Sequence, residues 1–465
     1  MLKPRRVLNV FMLAMLNVSI MASLRNLPLV AEFGLSAIFF FVLVALFFLV
    51  PCALVAAELA TAWPKEGGIY VWVREALGDK WGFVAIWVQW VHNVAWYPAI
   101  LSFVAVTSTY LLSPSLSSNK PFVLTIILGG FWGMTLLNYL GIKTSSWFST
   151  AGVILGTILP GLFIIFLGVH WVSKGFTIQI PLTLDALVPS FTEIGNLVFL
   201  AGLFLAFAGL EVTAGYANNV QNPKKNYPRA ILLAAVITFA LFMLGSLSIA
   251  VVVPKTDISL VQGVMDAFTI FLKQYGLLWL VPIMAFLMIV GAVAEINSWI
   301  IGPVRGLFAT AYHGNLPPIL QKRNAQGVPT NLLLFQAILV SIASLVFLYA
   351  PRISSGFWML TALSAQSYLV MYILMFISAL VLRYKRPGIE RPYSVPFKRK
   401  GMWVLTCMGI LASVFAILLS FVPPTNLKVG NTTIYVLILA GGLFVMCAFP
   451  LWIHLFKKKK WTLKE

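Results

Sequence analysis

Apolar runs of about twenty residues recur along this chain, each long enough to cross a bilayer core of about 30 Å. They lie near 7–31, 36–63, 82–112, 121–141, 147–170, 194–220, 228–253, 277–301, 330–350, 355–383, 401–421 and 432–456. Such a chain has few options, because in lipid each backbone polar group must be satisfied inside its own helix or a closed barrel. The runs predict an all-α membrane protein of about 12 transmembrane helices. Composition agrees: 10% of the residues are charged, where soluble domains carry about 25%.

The net charge of +19 invites a nucleic-acid reading, but the basic residues sit in short gaps between apolar runs, as loop charges do. No nucleic-acid partner is expected; the lipid bilayer is the partner. Lys3, Arg5, Arg6, Lys65, Arg74, Lys80, Lys143, Lys224, Lys225, Arg229, Arg305, Lys322, Arg323, the run from Arg383 to Lys400, Lys457 to Lys460 and Lys464 fall on one side. Lys120, Lys174, Lys255, Lys273, Arg352 and Lys428 fall on the other. The asymmetry predicts cytoplasmic termini in a multi-pass protein. The basic, then apolar N-terminus has no small-residue cleavage pattern and reads as a retained first helix. Cys52, Cys407 and Cys447 lie far apart in apolar runs, and the four histidines are scattered, so neither a disulfide frame nor a metal or other cofactor is expected.

Two runs are interrupted at mid-depth. In IMASLRNLPLVAEFG, Arg25 and Asn26 precede Pro28, which removes a donor and clashes with the preceding turn; the helix should open at about Ala22 to Leu27. In FAGLEVTAGYANNVQNPKKNY, from Phe207 to Tyr227, the carboxylate of Glu211 stands between Gly209 and Gly215. Interrupted helices first and sixth in order are a mark of inverted-repeat transporters, whose broken backbone lines a substrate cavity. Residues 1–383 then form the transport core, 384–400 a basic cytoplasmic loop, and 401–465 two further helices with a Lys-rich tail. Between spans, Gly67 to Leu77 should lie along the surface or re-enter, and Gly263 to Gly276 should cover the opposite face.

Ionisable residues inside spans are costly, about 2.5–3.5 kcal/mol even on the lenient insertion scale, and must pair, change protonation or face water. Glu211 reads as a substrate-amine partner, proton carrier or gate, against a carboxylate capping the second half-helix. Glu295, in VGAVAEINSWIIGP, divides between functional and structural readings. Arg25 suits a substrate carboxylate or an internal counter-ion for Glu211 or Glu295. Glu58, near the basic end of its span, reads as structural. Tyr368 and Tyr372 are four apart on one helix face, as gate or packing residues. The aromatic third span, with Gln89, His92 and Asn93, reads as packing, with a pocket wall as the alternative. The substrate-binding candidates are Ala22, Ser23, Arg25, Asn26, Phe207, Gly209, Glu211 and Glu295; the gating or proton-coupling candidates are Glu211, Glu295, Tyr368 and Tyr372.

AELATAWPKEGGIYVWVREALG (Ala57 to Gly78) resembles the signature of the amino acid–polyamine–organocation superfamily. FAGLEVTAGYANNVQNPKKNYP (Phe207 to Pro228) and AEINSWIIGPVRG (Ala294 to Gly306) are similar to segments of the bacterial glutamate/4-aminobutyrate antiporter family. The resemblance implies a LeuT-type 5+5 inverted-repeat core with broken helices 1 and 6, plus two C-terminal helices. It also implies exchange of amino acids across the inner membrane, with Gly209, Glu211 and Glu295 on the matching motifs. The chain departs from the compared exchanger at Arg25-Asn26, where that protein has an uncharged aromatic and an acid. A second departure is the tail, a Lys run where an acid-resistance member carries a long plug. The expected function is secondary active amino acid transport by exchange, not an enzyme. A proton-coupled amino acid or polyamine importer and a membrane nutrient sensor stand as alternatives.

Overall fold

The described chain is built mainly of helices, fifteen of which matter here, joined by 3₁₀ turns and non-helical segments such as 386–397. The structure is a computed structural model that describes residues 8–64, 67–139, 151–189 and 197–463. Lys3, Arg5, Arg6, Lys65, Lys143, Lys464 and the start of the fifth apolar run lie outside the described residues. The helices are α1 (Val10–Met21), α2 (Leu27–Ala31), α3 (Gly34–Ala62), α4 (Ile69–Leu77), α5 (Asp79–Ser108), α6 (Lys120–Tyr139), α7 (Ala151–Ser173) and α8 (Leu200–Ala206). They continue as α9 (Pro223–Val252), α10 (Gly263–Gln274), α11 (Leu280–Ala309), α12 (Thr330–Ser344), α13 (Ile353–Lys385), α14 (Lys398–Leu419) and α15 (Thr432–Leu455). No strand occurs among the described residues, apart from one isolated bridge between Leu8 and Val220.

Nine of the described helices are long and apolar enough to cross a membrane, and ten spans result if the bent pair near the N-terminus counts as one. The expected third and sixth spans fail that test for identifiable reasons. Helix α5 is 30 residues long, but Gln89, His92 and Asn93 lower its hydropathy; almost all of it is buried by protein. Helix α8 is only seven residues long because the chain leaves the α conformation at Phe207. Some boundaries also move. The eighth apolar run stays helical to Ala309, eight residues past its expected end, because Pro303 is absorbed inside the helix.

Helices α5 and α13 form the centre, packing on each other, while α11, α4 and α12 cover α5 and α14 covers α13. Helix α4 packs against both α5 and α13, burying Ile69, Tyr70, Val71, Trp72, Val73 and Ala76. It is thus a wedge in the bundle rather than a surface ribbon. Helices α7 and α11 meet backbone to backbone: a Cβ on Gly156 would stand 2.2 Å from the Gly291 nitrogen, so neither position has room for a side chain. Small residues commonly allow such close approach between membrane helices.

At the end rich in basic residues, buried Glu58 of α3 accepts hydrogen bonds from Arg383 of α13 and from the Val395 amide at 2.8 Å, and pairs with Arg391 at 3.3 Å. This pins the segment after α13 onto the core. Lys457, the first of the Lys run, turns back onto the protein. Its ammonium meets Asp79 at 2.5 Å and the Asn315 side chain at 2.8 Å, tying the end of α15 to the start of α5. Asn431, in the sequon NTT, caps α15 by accepting from the Thr433 and Ile434 amides.

At the opposite end, Glu32 follows α2 and lines a cavity of about 200 Å³ with Gln179, Ala186 and Lys255. Burial holds its carboxyl at about 7, above the usual 4.5, against the lowering pulls of Asn426, which donates at 3.0 Å, and of Lys255. A carboxyl raised on folding favours the protonated fold. Its contribution is therefore complete below the ordinary carboxyl value and is lost as pH rises through about 7. Thermal unfolding in detergent is expected to show falling stability from pH 5 to 8, and Glu32→Gln should flatten that slope. An unchanged slope in the variant would remove Glu32 as its origin.

Candidate functional site

The first interruption begins where α1 stops at Met21. Ala22 and Ser23 are extended, with φ/ψ of −78/106° and −130/115°, and a 3₁₀ turn from Leu24 to Asn26 then leads into α2. Pro28 stands in the first turn of α2, where its missing N–H costs nothing. The two halves are bent by 47°. Arg25 and Asn26 thus open the second half rather than sit in the unwound link itself.

The second interruption runs from Phe207 to Gly209, after which Leu210–Asn219 coils as 3₁₀ helix. Gly209 has φ +117°, which a residue with a side chain adopts only under strain. A Cβ there would also lie 3.0 Å from Ile20 and 3.6 Å from the Met21 side chain. The two interruptions therefore touch. Trp299 of α11 closes the same junction by donating its indole N–H to the Ile20 carbonyl at 3.1 Å.

Glu211 is 2% exposed and is held by neutral donors alone. Its Oε1 accepts from Gln89 Nε2 at 3.0 Å and from the Tyr368 hydroxyl at 2.5 Å; its Oε2 accepts from the Tyr372 hydroxyl. Tyr372 in turn accepts the Gly209 amide at 2.7 Å. That amide is one of the donors released when the helix breaks, so the tyrosine links the unwound backbone to the carboxylate. His92 stacks on Tyr368 with ring centroids 4.0 Å apart, and its Nδ1 donates to the Gln89 carbonyl at 2.6 Å. Thr213 reaches back to Asn17 of α1 at 3.0 Å.

Arg25 is 1% exposed and lies apart from this network. No carboxylate stands within 4 Å of it among the described residues, and its Nε and Nη1 have no hydrogen-bond partner. The guanidinium rests between the rings of Trp96 at 5.4 Å and Phe357 at 5.7 Å. Its electrostatic neighbour is Glu295 of α11, which is hydrogen-bonded to Ser23. Arg25 makes no ion pair with Glu211, whose hydrogen bonds come from Gln89, Tyr368 and Tyr372. The buried Asn26 Oδ1 is likewise without a partner.

Most residues singled out in the sequence converge here. Ala22, Ser23, Arg25, Asn26, Phe207, Gly209, Glu211, Glu295, Tyr368 and Tyr372 are all buried, at or near the two interruptions. Gln89 and Trp96, on the third span that reads as packing or a pocket wall, contact Glu211 and Arg25 directly, and Trp299, which the sequence does not single out, closes the junction. Gln89, His92 and Trp96 fall at i, i+3 and i+7, one helical face, and that spacing was the available signal. Trp87 and Trp90 belong to packing, facing each other at 5.1 Å and Phe449 and Phe335 beyond. Tyr372→Phe should lower thermal stability by about 1–3 kcal/mol, because the buried Gly209 amide would be left unpaired. Wild-type stability in that variant would show that the amide finds another acceptor.

A bundle of apolar helices, two of them interrupted against each other over buried charges, is the build of a solute carrier in the membrane. Comparison with known proteins supplies the family. The amino acid permease family matches residues 8–444, and the chain belongs to it. It is 40% identical over 457 residues to an uncharacterized transporter of Legionella pneumophila, covering 98% of this chain and 97% of that one. It is 34% identical over 411 residues to the glutamate/gamma-aminobutyrate antiporter of Lactococcus lactis, covering 87% and 82%. It is 27% identical over 422 residues to a polyamine transporter of Oryza sativa, covering 89% and 71%. The protein is a multi-pass membrane transporter of this superfamily and not an enzyme.

Proposed function

We propose that this secondary transporter is an amino acid exchanger that works by alternating access at a site between its two helix interruptions. The observation that carries the reading is the contact of Gly209 with Ile20 and Met21, which brings both sets of freed backbone groups to one buried place beside Arg25, Glu211 and Glu295. Broken backbone is tolerated in a membrane only where it is buried in protein or lines a cavity. The matching order of the breaks supports a 5+5 inverted-repeat core over residues 1–383, followed by the 384–400 loop and two helices in 401–465. The basic-residue asymmetry supports cytoplasmic termini, and the apolar helical spans with the bacterial relatives support a place in the bacterial inner membrane.

The antiporter relative favours exchange, whereas one feature favours proton coupling as a second reading. Glu211 has only neutral partners, so protonating it strands no cation. A proteoliposome counterflow panel of amino acids and amines, with and without a pH gradient, separates the two. Exchange is expected to proceed with preloaded solute and no pH gradient. Uptake that needs the gradient and ignores preloading would replace exchange by proton symport; no uptake of any solute would favour a sensor.

A further inference from the structure

Resting on the carrier reading, we infer that Arg25 and Glu295 form an open charge pair whose gap takes the head group of a free amino acid, the guanidinium receiving the carboxylate and Glu295 the ammonium. A buried guanidinium is ordinarily paired and hydrogen-bonded, because desolvation is otherwise uncompensated. Arg25 breaks that rule in a specific way. It is 1% exposed, two of its nitrogens lack partners, and it is supported by the faces of Trp96 and Phe357. Aromatic faces hold a cation without using its in-plane N–H groups. The N–H groups of Nε and Nη1 therefore stay available to donate to an acceptor, and a carboxylate is the acceptor that also balances the buried charge.

Glu295 supplies the second half. It is 3% exposed, hydrogen-bonded to Ser23, and electrostatically coupled to Arg25 with no nitrogen–oxygen approach within 4 Å. Two opposite charges that face each other in a membrane interior without touching are joined most simply by a ligand carrying both signs. Glu211 is not the amine's partner in this arrangement, since Glu295 and not Glu211 is the carboxylate electrostatically coupled to Arg25. A bare diamine leaves the Arg25 guanidinium without a carboxylate to receive, so the chain should favour solutes that carry a carboxylate over polyamines.

The test uses the full chain in proteoliposomes, with glutamate, 4-aminobutyrate, leucine, putrescine and agmatine as counterflow solutes. Wild type is expected to prefer its best carboxylate-bearing solute at least about tenfold over both carboxylate-free amines, the size of one lost charged contact. Arg25→Met should lose that solute at least about tenfold, and Arg25→Lys should recover part of it. Because Arg25→Met leaves Glu295 a buried charge without its counter-ion, the double variant Arg25→Met with Glu295→Gln is made as well and its thermal stability measured. It should be as stable as wild type and still fail to bind the amino acid. Restored amino acid binding in the double variant would make the pair an internal counter-ion and overturn the inference. Comparable uptake of putrescine by wild type would overturn it too, while leaving the carrier reading intact. Counterflow of no solute at all would fail the carrier reading itself.

Discussion

Glu211→Gln is expected to lower exchange about a hundredfold or more, some 2.7 kcal/mol at 1.36 per factor of ten, while the protein still assembles. The amide has nearly the shape of the carboxylate, and the tyrosine hydroxyls can rotate to accept as well as donate. The three contacts to Gln89, Tyr368 and Tyr372 can thus be largely rebuilt around a neutral group. What disappears is the negative charge where the second interruption meets α5 and α13. Initial exchange rates in proteoliposomes, measured from pH 5 to 8 beside thermal unfolding in detergent, check both halves. Rates within twofold of wild type across that range would leave Glu211 a structural cap.

The second large effect falls on the fold. Glu58→Ala should cost about 3–5 kcal/mol, the usual consequence of removing one partner from a buried ion pair. The side chains of Arg383 and Arg391 are each 9% exposed and lose their common carboxylate, while the Val395 amide loses its acceptor. Fluorescence-detected size exclusion after a heat step should show early aggregation, and binding should fall only in proportion to the folded fraction. A variant as heat-stable as wild type would mean that the segment after α13 is held by something else.

These two carboxylates show how much the sequence could reveal. Both stand out because a charge in an apolar run is expensive. Helix position separated them: Glu58 near the basic end, Glu211 beside a glycine at mid-depth. The partners were harder to see, since Gln89 and Tyr368 are brought to Glu211 across 122 and 157 residues of chain. No local rule carries that information. Most spans were legible because twenty apolar residues have few alternatives. The third was less legible because a helix wrapped by protein is free to carry glutamine, histidine and asparagine. Proline marked the first interruption early, but it did not show that Arg25 opens the second half-helix with its guanidinium unpaired.

The charges around the interruptions also bear on voltage. One arginine beside two glutamates leaves a single negative charge when all three are ionised. A bound zwitterion leaves that sum unchanged, whereas a doubly protonated diamine reverses its sign. Trading one zwitterion for another is then indifferent to the membrane potential. Trading a zwitterion for a singly cationic amine moves one charge per cycle, worth about 2.3 kcal/mol for each 100 mV. The solutes on the two sides, rather than any voltage-sensing element, would decide whether each turnover charges the membrane.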